Sequence, residues 1–365
     1  VQALAAILFV AAHYWLFGVA VGWLRRRMSP WLLLAVLPVL WTALELLRSV
    51  GELGFPWCLT GAAWLHTPLR TLYPAAGEAG LGAATALLAA AGVALMARWR
   101  HGGETARGSR ALLVVAVLAW LLLWWGSTVR DPRSAPGRRT EPLTVACVQA
   151  NVPQAIKWDP AHIDSTRIPY AEHTAAAAAA GAELVVWAET AIPAYVRYDR
   201  EMLDWVRGVA RGGRTAVLAG FPDGRYEDDP ADGDERRLRK FNAAGLFNAH
   251  GTLVETYGKH HLVPIGEAMP FQRYLPFLGG IDVGQAEWTP GAPPGPMTLA
   301  TPRGEVALAS LICFEAVFSD LARGAVRRGA SVLVNITNDG WFGYSAGPRQ
   351  HAALARIRGI ECGVP

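Results

Sequence analysis

Four long apolar runs in the first third of the chain limit what it can fold into more than any other feature. They extend from about 1 to 24, 31 to 47, 72 to 96 and 111 to 129. A bilayer core takes about 20 apolar residues per helix, and each run approaches or exceeds that length. Helices buried in a soluble bundle keep a polar stripe, but "LLVVAVLAWLLLWWG" is apolar on every face. Residues 1–129 therefore read as a membrane α-helical bundle of four spans. The same excess raises the bulk values to 52% hydrophobic residues and a mean hydropathy of +0.21 over 365 residues, high for a purely soluble protein. A signal peptide accounts for one run at most, and the first run lacks a basic start and a small-residue cleavage site. Because the chain begins at Val1 inside an apolar run, it is expected to be a fragment lacking something upstream.

Cytoplasmic loops collect Lys and Arg. Arg25, Arg26 and Arg27 follow the first run, and Arg98, Arg100, Arg107 and Arg110 separate the third from the fourth. Both loops are expected in the cytoplasm, and alternation then puts everything after Val129 outside. Arg130, Arg133, Arg138 and Arg139 run against that signal, whereas Trp120, Trp124 and Trp125 fit an aromatic belt at the outer interface. The net charge of +4 comes mainly from these flanking arginines, which points to anionic lipid and away from nucleic acid.

A Pro, Gly and Arg-rich linker, residues 130–142, leads into different sequence, residues 143–365. Short β-rich runs ("LTVACVQ", "ELVVWAE", "TAVLAGF", "VALASLIC", "SVLVNIT") alternate with helical ones ("MLDWVRGVA", "FSDLARGAVRRG"), the pattern of an α/β domain. The charged, Gly-containing "DGRYEDDPADGDERRLRK" reads as an exposed hairpin or loop. Cys58, Cys147, Cys313 and Cys362 show no CxxC spacing and no accompanying His pattern, which argues against a structural zinc site and leaves disulfide pairing open.

Three polar residues stand at equivalent places. Glu189 ends "ELVVWAE", Lys259 ends "GTLVETYGK", and Cys313 ends "VALASLIC" just before a predicted helix. Strand ends in α/β proteins converge on one rim, where sites are built. A thiol attacks an acyl carbon as thiolate, which a cation or a helix N-terminus favours. Glu189 is suited to carry the thiol proton, and Lys259 to hold a developing oxyanion. The same three residues also fit a solvated cap, a surface charge and a buried core thiol. No GxSxG motif offers a competing nucleophile.

In order along the chain, "ELLRSVGELGFPW", "VQANVPQAIKWD", "VVWAETAIP", "YGKHHLVPIGEAMPF", "LICFEAVF" and "TNDGWFGYSAGPRQHAALARIRGIE" resemble the apolipoprotein N-acyltransferases, membrane members of the nitrilase superfamily. The resemblance covers about Glu45 to Glu361. It implies a nitrilase-like αββα sandwich outside the membrane and a Glu-Lys-Cys triad of Glu189 as base, Lys259 as transition-state stabiliser and Cys313 as acylated nucleophile. It implies supporting roles for Glu267 and Glu315, and for Trp158, Asn242, Trp341 and Phe342 near the site. Arg48 and Gly54 match its membrane-side segment. The implied partners are a phospholipid acyl donor, a diacylglyceryl-modified apolipoprotein acceptor and membrane lipid, in a bacterial inner membrane. Neither the residues nor the resemblance asks for a cofactor or a metal.

The chain departs from the family pattern at Phe314, where a tyrosine is usual, and at Ile265, a conservative apolar change from phenylalanine. The family also continues past Pro365 through further strands and a last span, so the sandwich is expected to be C-terminally incomplete. Two other readings accompany the acyltransferase: a membrane-tethered nitrilase-type amidase, and a non-catalytic membrane protein with a degenerate nitrilase domain. The ionisable residues Glu45, Arg48 and Glu78 in the apolar third fit a functional membrane segment under any of the three.

Overall fold

The structure, a computed structural model, describes residues 2–101, 111, 114–122, 124–125, 142–226, 238–272, 274–275, 277 and 288–365. The expected linker lies almost wholly outside these residues, as does the middle of the charged hairpin. The chain divides into two compact units. One comprises Val1–Pro136, Pro270–Leu278 and Ile360–Gly363; the other comprises Gly137–Met269, Gly279–Gly359 and Val364–Pro365.

The first unit contains α1 (Gln2–Leu24), α2 (Pro30–Leu47) and α3 (Tyr73–His101). Three stretches among the described residues, Ile7–Leu24, Pro30–Leu47 and Pro68–Met96, are long and apolar enough to cross a membrane. Of the fourth run, residues 114–122 are helical, and the remainder lies partly outside the described residues. Apolar side chains such as Ile7, Trp15, Val39 and Leu121 point outward, as a hydrocarbon solvent requires. This is a membrane protein.

Several polar groups in this unit are held by local hydrogen bonds, which offset the cost of placing them away from water. The buried Glu45 accepts from the Thr60 amide (2.7 Å) and hydroxyl (2.6 Å), and Trp41 donates to the same hydroxyl. Buried Arg48 donates to the Trp57 carbonyl at 3.3 Å, and its own carbonyl receives the Phe55 amide at 2.7 Å. Gly54 lies buried within that returning loop. Gly61 is the tightest point: a Cβ there would lie 1.9 Å from the Glu78 carbonyl oxygen. Gly61→Ala must separate the loop from α3, and a loss of about 2 kcal/mol or more is expected. Thermal unfolding in detergent measures it, and an unchanged midpoint would contradict this packing.

The second unit holds two sheets. The first has the order β1 (Val145–Cys147), β2 (Leu184–Val186), β3 (Ala216–Tyr226), β4 (Leu238–Phe247), β5 (Leu253–Gly258). Its first two pairings are parallel and the next two antiparallel. The second sheet runs β6 (Met297–Thr301), β7 (Gly304–Ile312), β8 (Val332–Ile336), antiparallel then parallel. Strand alternation divides the core. On β3, Val217, Ala219 and Phe221 pack with Tyr170 of α4 (Asp164–Ala179) and with Met202, Val206 and Ala210 of α5 (Arg200–Gly213). Ala216 and Leu218 point the other way, against Leu299, Leu308 and Ile312 of the second sheet. That sheet's outer face carries Ala309 against Ala325 of α6 (Ser319–Arg327).

The layers are therefore helix, sheet, sheet, helix: the expected αββα sandwich. At the described ends of the charged segment, β3 reaches Tyr226 and β4 starts at Leu238, the two paired antiparallel. The last helix is α7 (Gly347–Cys362), which belongs to this unit through Gly359.

Candidate active site

Strands β2 and β3 are parallel, and β5 returns to their direction through two antiparallel steps. The C-terminal ends of β2 and β5 thus share one rim of the first sheet. Glu189 lies three residues past β2, Lys259 one past β5, and Cys313 one past β7.

The Glu189 turn lies flat on β3. A Cβ on Gly220 would fall 2.6 Å from the Ala188 carbonyl oxygen and 2.7 Å from the Glu189 Cα, so only glycine permits this approach. Gly220→Ala is expected to displace Glu189 and to lower turnover by at least about tenfold at unchanged expression; a normal rate from that variant would contradict the arrangement. Glu189 Oε1 accepts from Asn242 Nδ2 at 2.7 Å, and Oε2 from the Asn338 amide at 2.9 Å. The carboxylate is thereby oriented from both sides.

Lys259 is fully buried. Its Nζ is 2.9 and 2.8 Å from the two Glu267 oxygens and 3.7 Å from Glu189 Oε1. Burial alone pulls an ammonium down, but the carboxylates of Glu267 and Glu189 oppose it, and this one is held above its ordinary value. Glu267 is fixed in turn by Asn242 Nδ2 (3.1 Å) and the Val263 amide (2.9 Å). Ile265, beside it, has φ 64. A β-branched residue is strained there, so the exchange is less conservative than its polarity suggests.

Cys313 has φ 50, a left-handed elbow between β7 and a short 3₁₀ turn, Cys313–Val317. The expected helix start at the thiol is corrected: α6 begins only at Ser319, so no aligned helix dipole reaches the sulfur. Burial pushes the Cys313 thiol up, Glu189 adds to that, and Lys259 opposes it.

Glu315 is wholly committed. Its Oε1 accepts from Tyr257 (2.6 Å) and from the amides of His260 (2.8 Å) and His261 (3.0 Å), and Oε2 from the Ile312 amide (2.8 Å). It ties the backbone just before Cys313 to the backbone just after Lys259. Burial raises its pKa against these donors.

Trp158, Trp341 and Phe342 are 49%, 62% and 36% exposed, on segments that Asn338 Nδ2 joins to Gln154 Oε1 at 2.9 Å, and the Phe342 ring meets the His351 ring edge-on at 6.2 Å. Arg48 and Gly54 belong to the other unit. Sequence reasoning missed Lys157, whose buried Nζ donates to Thr190 Oγ1 (2.8 Å) and the Glu189 carbonyl (3.3 Å). Burial pulls it down to about 8. It also missed Asn338, Thr337, Asp339 and His351. All of these lie inside strings that stand out in the sequence, and that was their one signal.

A carboxylate, an ammonium and a thiol so arranged can deprotonate the thiol, deliver it to an acyl carbon and neutralise the resulting oxyanion.

The family model described as carbon-nitrogen hydrolase matches residues 144–365, and that of the apolipoprotein N-acyltransferase N-terminal domain matches residues 1–91. Apolipoprotein N-acyltransferases are similar along nearly the whole chain. That of Geobacter metallireducens is 34% identical over 91% of this chain and 61% of its own length. That of Azotobacter vinelandii is 35% identical over 99% and 65%, and that of Haemophilus ducreyi 30% identical over 99% and 68%. The chain thus spans about three fifths to two thirds of these relatives. An amidase structure from Nesterenkonia sp. is 21% identical with a TM-score of 0.42, covering 63% of this chain and 76% of that one; so distant a likeness bears on neither substrate nor site.

Proposed function

The chain belongs to the apolipoprotein N-acyltransferase family of carbon-nitrogen hydrolases, and from that premise we propose that it moves a fatty acyl chain from a phospholipid to the N-terminal amine of a diacylglyceryl-cysteine apolipoprotein through a Cys313 thioester. Glu189 takes the thiol proton as sulfur attacks the ester carbonyl, and Lys259 holds the oxyanion. Collapse breaks the ester bond, and the departing lysophospholipid oxygen receives the proton from Glu189. In the second half the acceptor amine attacks the thioester, loses a proton to Glu189, and Cys313 leaves as thiolate and is reprotonated. The step order is ping-pong.

The observation that carries the reading is the fully buried Lys259 held between two carboxylates beside Cys313, on a chain whose described residues include three helices long and apolar enough to cross a membrane. Burying that charge is costly, and an oxyanion stabiliser at an acyl-transfer centre is the use that fits it. The exposed Trp158, Trp341 and Phe342 suit lipid-borne substrates. Both substrates are membrane-anchored, so a membrane-held site meets them by lateral diffusion. The basic loops favour an α/β unit on the extracytoplasmic side of a bacterial inner membrane. A tethered amidase would use the same first half-reaction and let water resolve the thioester.

The test incubates the detergent-solubilised chain with phospholipid vesicles, quenches in acid, and reads the Cys313 peptide by mass spectrometry. A fatty-acyl adduct that disappears when a diacylglyceryl-cysteine peptide is added, with N-acylated peptide appearing, is expected. No adduct together with turnover of simple amides would replace this reading with the amidase.

A further inference from the structure

Behind the nucleophile lies a second polar group that the proposed chemistry leaves unused. His351, on α7, is buried, with Nε2 2.8 Å from the Cys313 carbonyl oxygen and Nδ1 2.8 Å from Asp339 Oδ1. A backbone carbonyl only accepts hydrogen bonds, and so does a carboxylate. Each ring nitrogen thus faces an accepting oxygen, one on Cys313 and one on Asp339. Burial pushes the Asp339 carboxyl up, but the bonds from His351 and Thr337 overcome it and hold the group below its usual range. The Thr337 hydroxyl lies 2.7 Å from the same Asp339 oxygen and also hydrogen-bonds the Cys313 side chain.

We propose that Thr337, Asp339 and His351 are positioning residues that close a hydrogen-bonded ring on Cys313, fixing its left-handed elbow through the backbone and supplying its sulfur with a hydroxyl donor. Left-handed backbone at a residue with a Cβ persists only where the surroundings hold it. Glu315 holds the Ile312 amide on one side of the elbow, and His351 holds the Cys313 carbonyl on the other. The resting thiol donates to the Thr337 oxygen, and the Thr337 hydroxyl donates to Asp339. When Glu189 removes the thiol proton, the hydroxyl turns from Asp339 to the sulfur. Asp339 keeps its bond from His351, so no member of the ring gains or loses a proton.

The inference rests on Cys313 being the acylated group, yet it can be measured without any acyl transfer. Iodoacetamide alkylation of the intact chain in detergent, at about pH 8, is followed on the Cys313 peptide by mass spectrometry. Thr337→Val keeps the shape and removes the hydroxyl; it is expected to slow alkylation roughly tenfold. Thr337→Ser restores the hydroxyl and should recover most of that loss, which a purely packing role would not produce. Asp339→Asn and His351→Gln are expected to slow it at least as much. If His351→Gln does not fold, the Thr337 pair decides by itself. Alkylation of Thr337→Val at the parent rate, or no recovery in Thr337→Ser, overturns the proposal, whatever the acyl-adduct experiment returns.

Discussion

Lys259→Met is expected to abolish acyl transfer and to destabilise the α/β unit by about 3–5 kcal/mol, the usual result of removing one partner from a buried ion pair. The methionine fills similar volume, so a cavity contributes little. What remains is two carboxylates, Glu189 and Glu267, linked through Asn242 with no cation between them. One of them must take up a proton or the turn must open. Arginine should not rescue, because its planar fork does not fit a site built around a single ammonium. The pH dependence has a definite sign. The folded-state pKa of Lys259 lies above the ordinary 10.5. Its contribution is therefore fully present below about 10.5 and is lost only as pH rises through the folded value. Denaturant titrations of the parent at pH 7 and 9 should show no loss from this residue, while Lys259→Met is weak at both. A variant of parental stability that still transfers acyl chains would remove Lys259 from the site.

Cys313→Ser is expected to lose at least about a thousandfold in acyl transfer, with no adduct on the peptide that carries the substitution. A hydroxyl in the same elbow is a far poorer nucleophile than a thiol. Nothing in the surroundings compensates: Glu189 is positioned to accept a proton, but the departure of an alkoxide from the acyl intermediate is much harder than that of a thiolate. The fold should be preserved, because Glu315 and His351 grip the backbone of the elbow and not the sulfur. Burial pushes the thiol up, so parental alkylation should accelerate as pH rises above neutral. A plateau below neutral pH would mean a standing thiolate and would contradict this electrostatic picture.

Much of the architecture was legible in the sequence because its causes are local. Four apolar runs demand a membrane, and alternating strand and helix patterns demand layers. The three polar residues at strand ends stood out because each closes an apolar run. The expected helix start at Cys313 failed for a physical reason. "FEAVFSD" has helix-compatible composition, but Glu315 spends its carboxylate on four donors from two strands' ends, and the chain forms a 3₁₀ turn before α6. Strand β6 escaped notice because "MTLAT" is short and its burial comes from the facing sheet.

The sequence by itself determined that the chain enters a membrane, that an α/β layer follows, and that glutamate, lysine and cysteine side chains stand at three strand ends. Those properties depend on hydrophobicity and period, which neighbouring residues decide. Only the tertiary structure decided the charge state of the site. Lys259 keeps its proton because Glu267 and Glu189 arrive from separate segments. Burial and Glu189 push the Cys313 thiol up while Lys259 opposes them, and His351 reaches the elbow from a helix 38 residues further on. Protonation follows from distance and burial, and neither exists until the layers have packed.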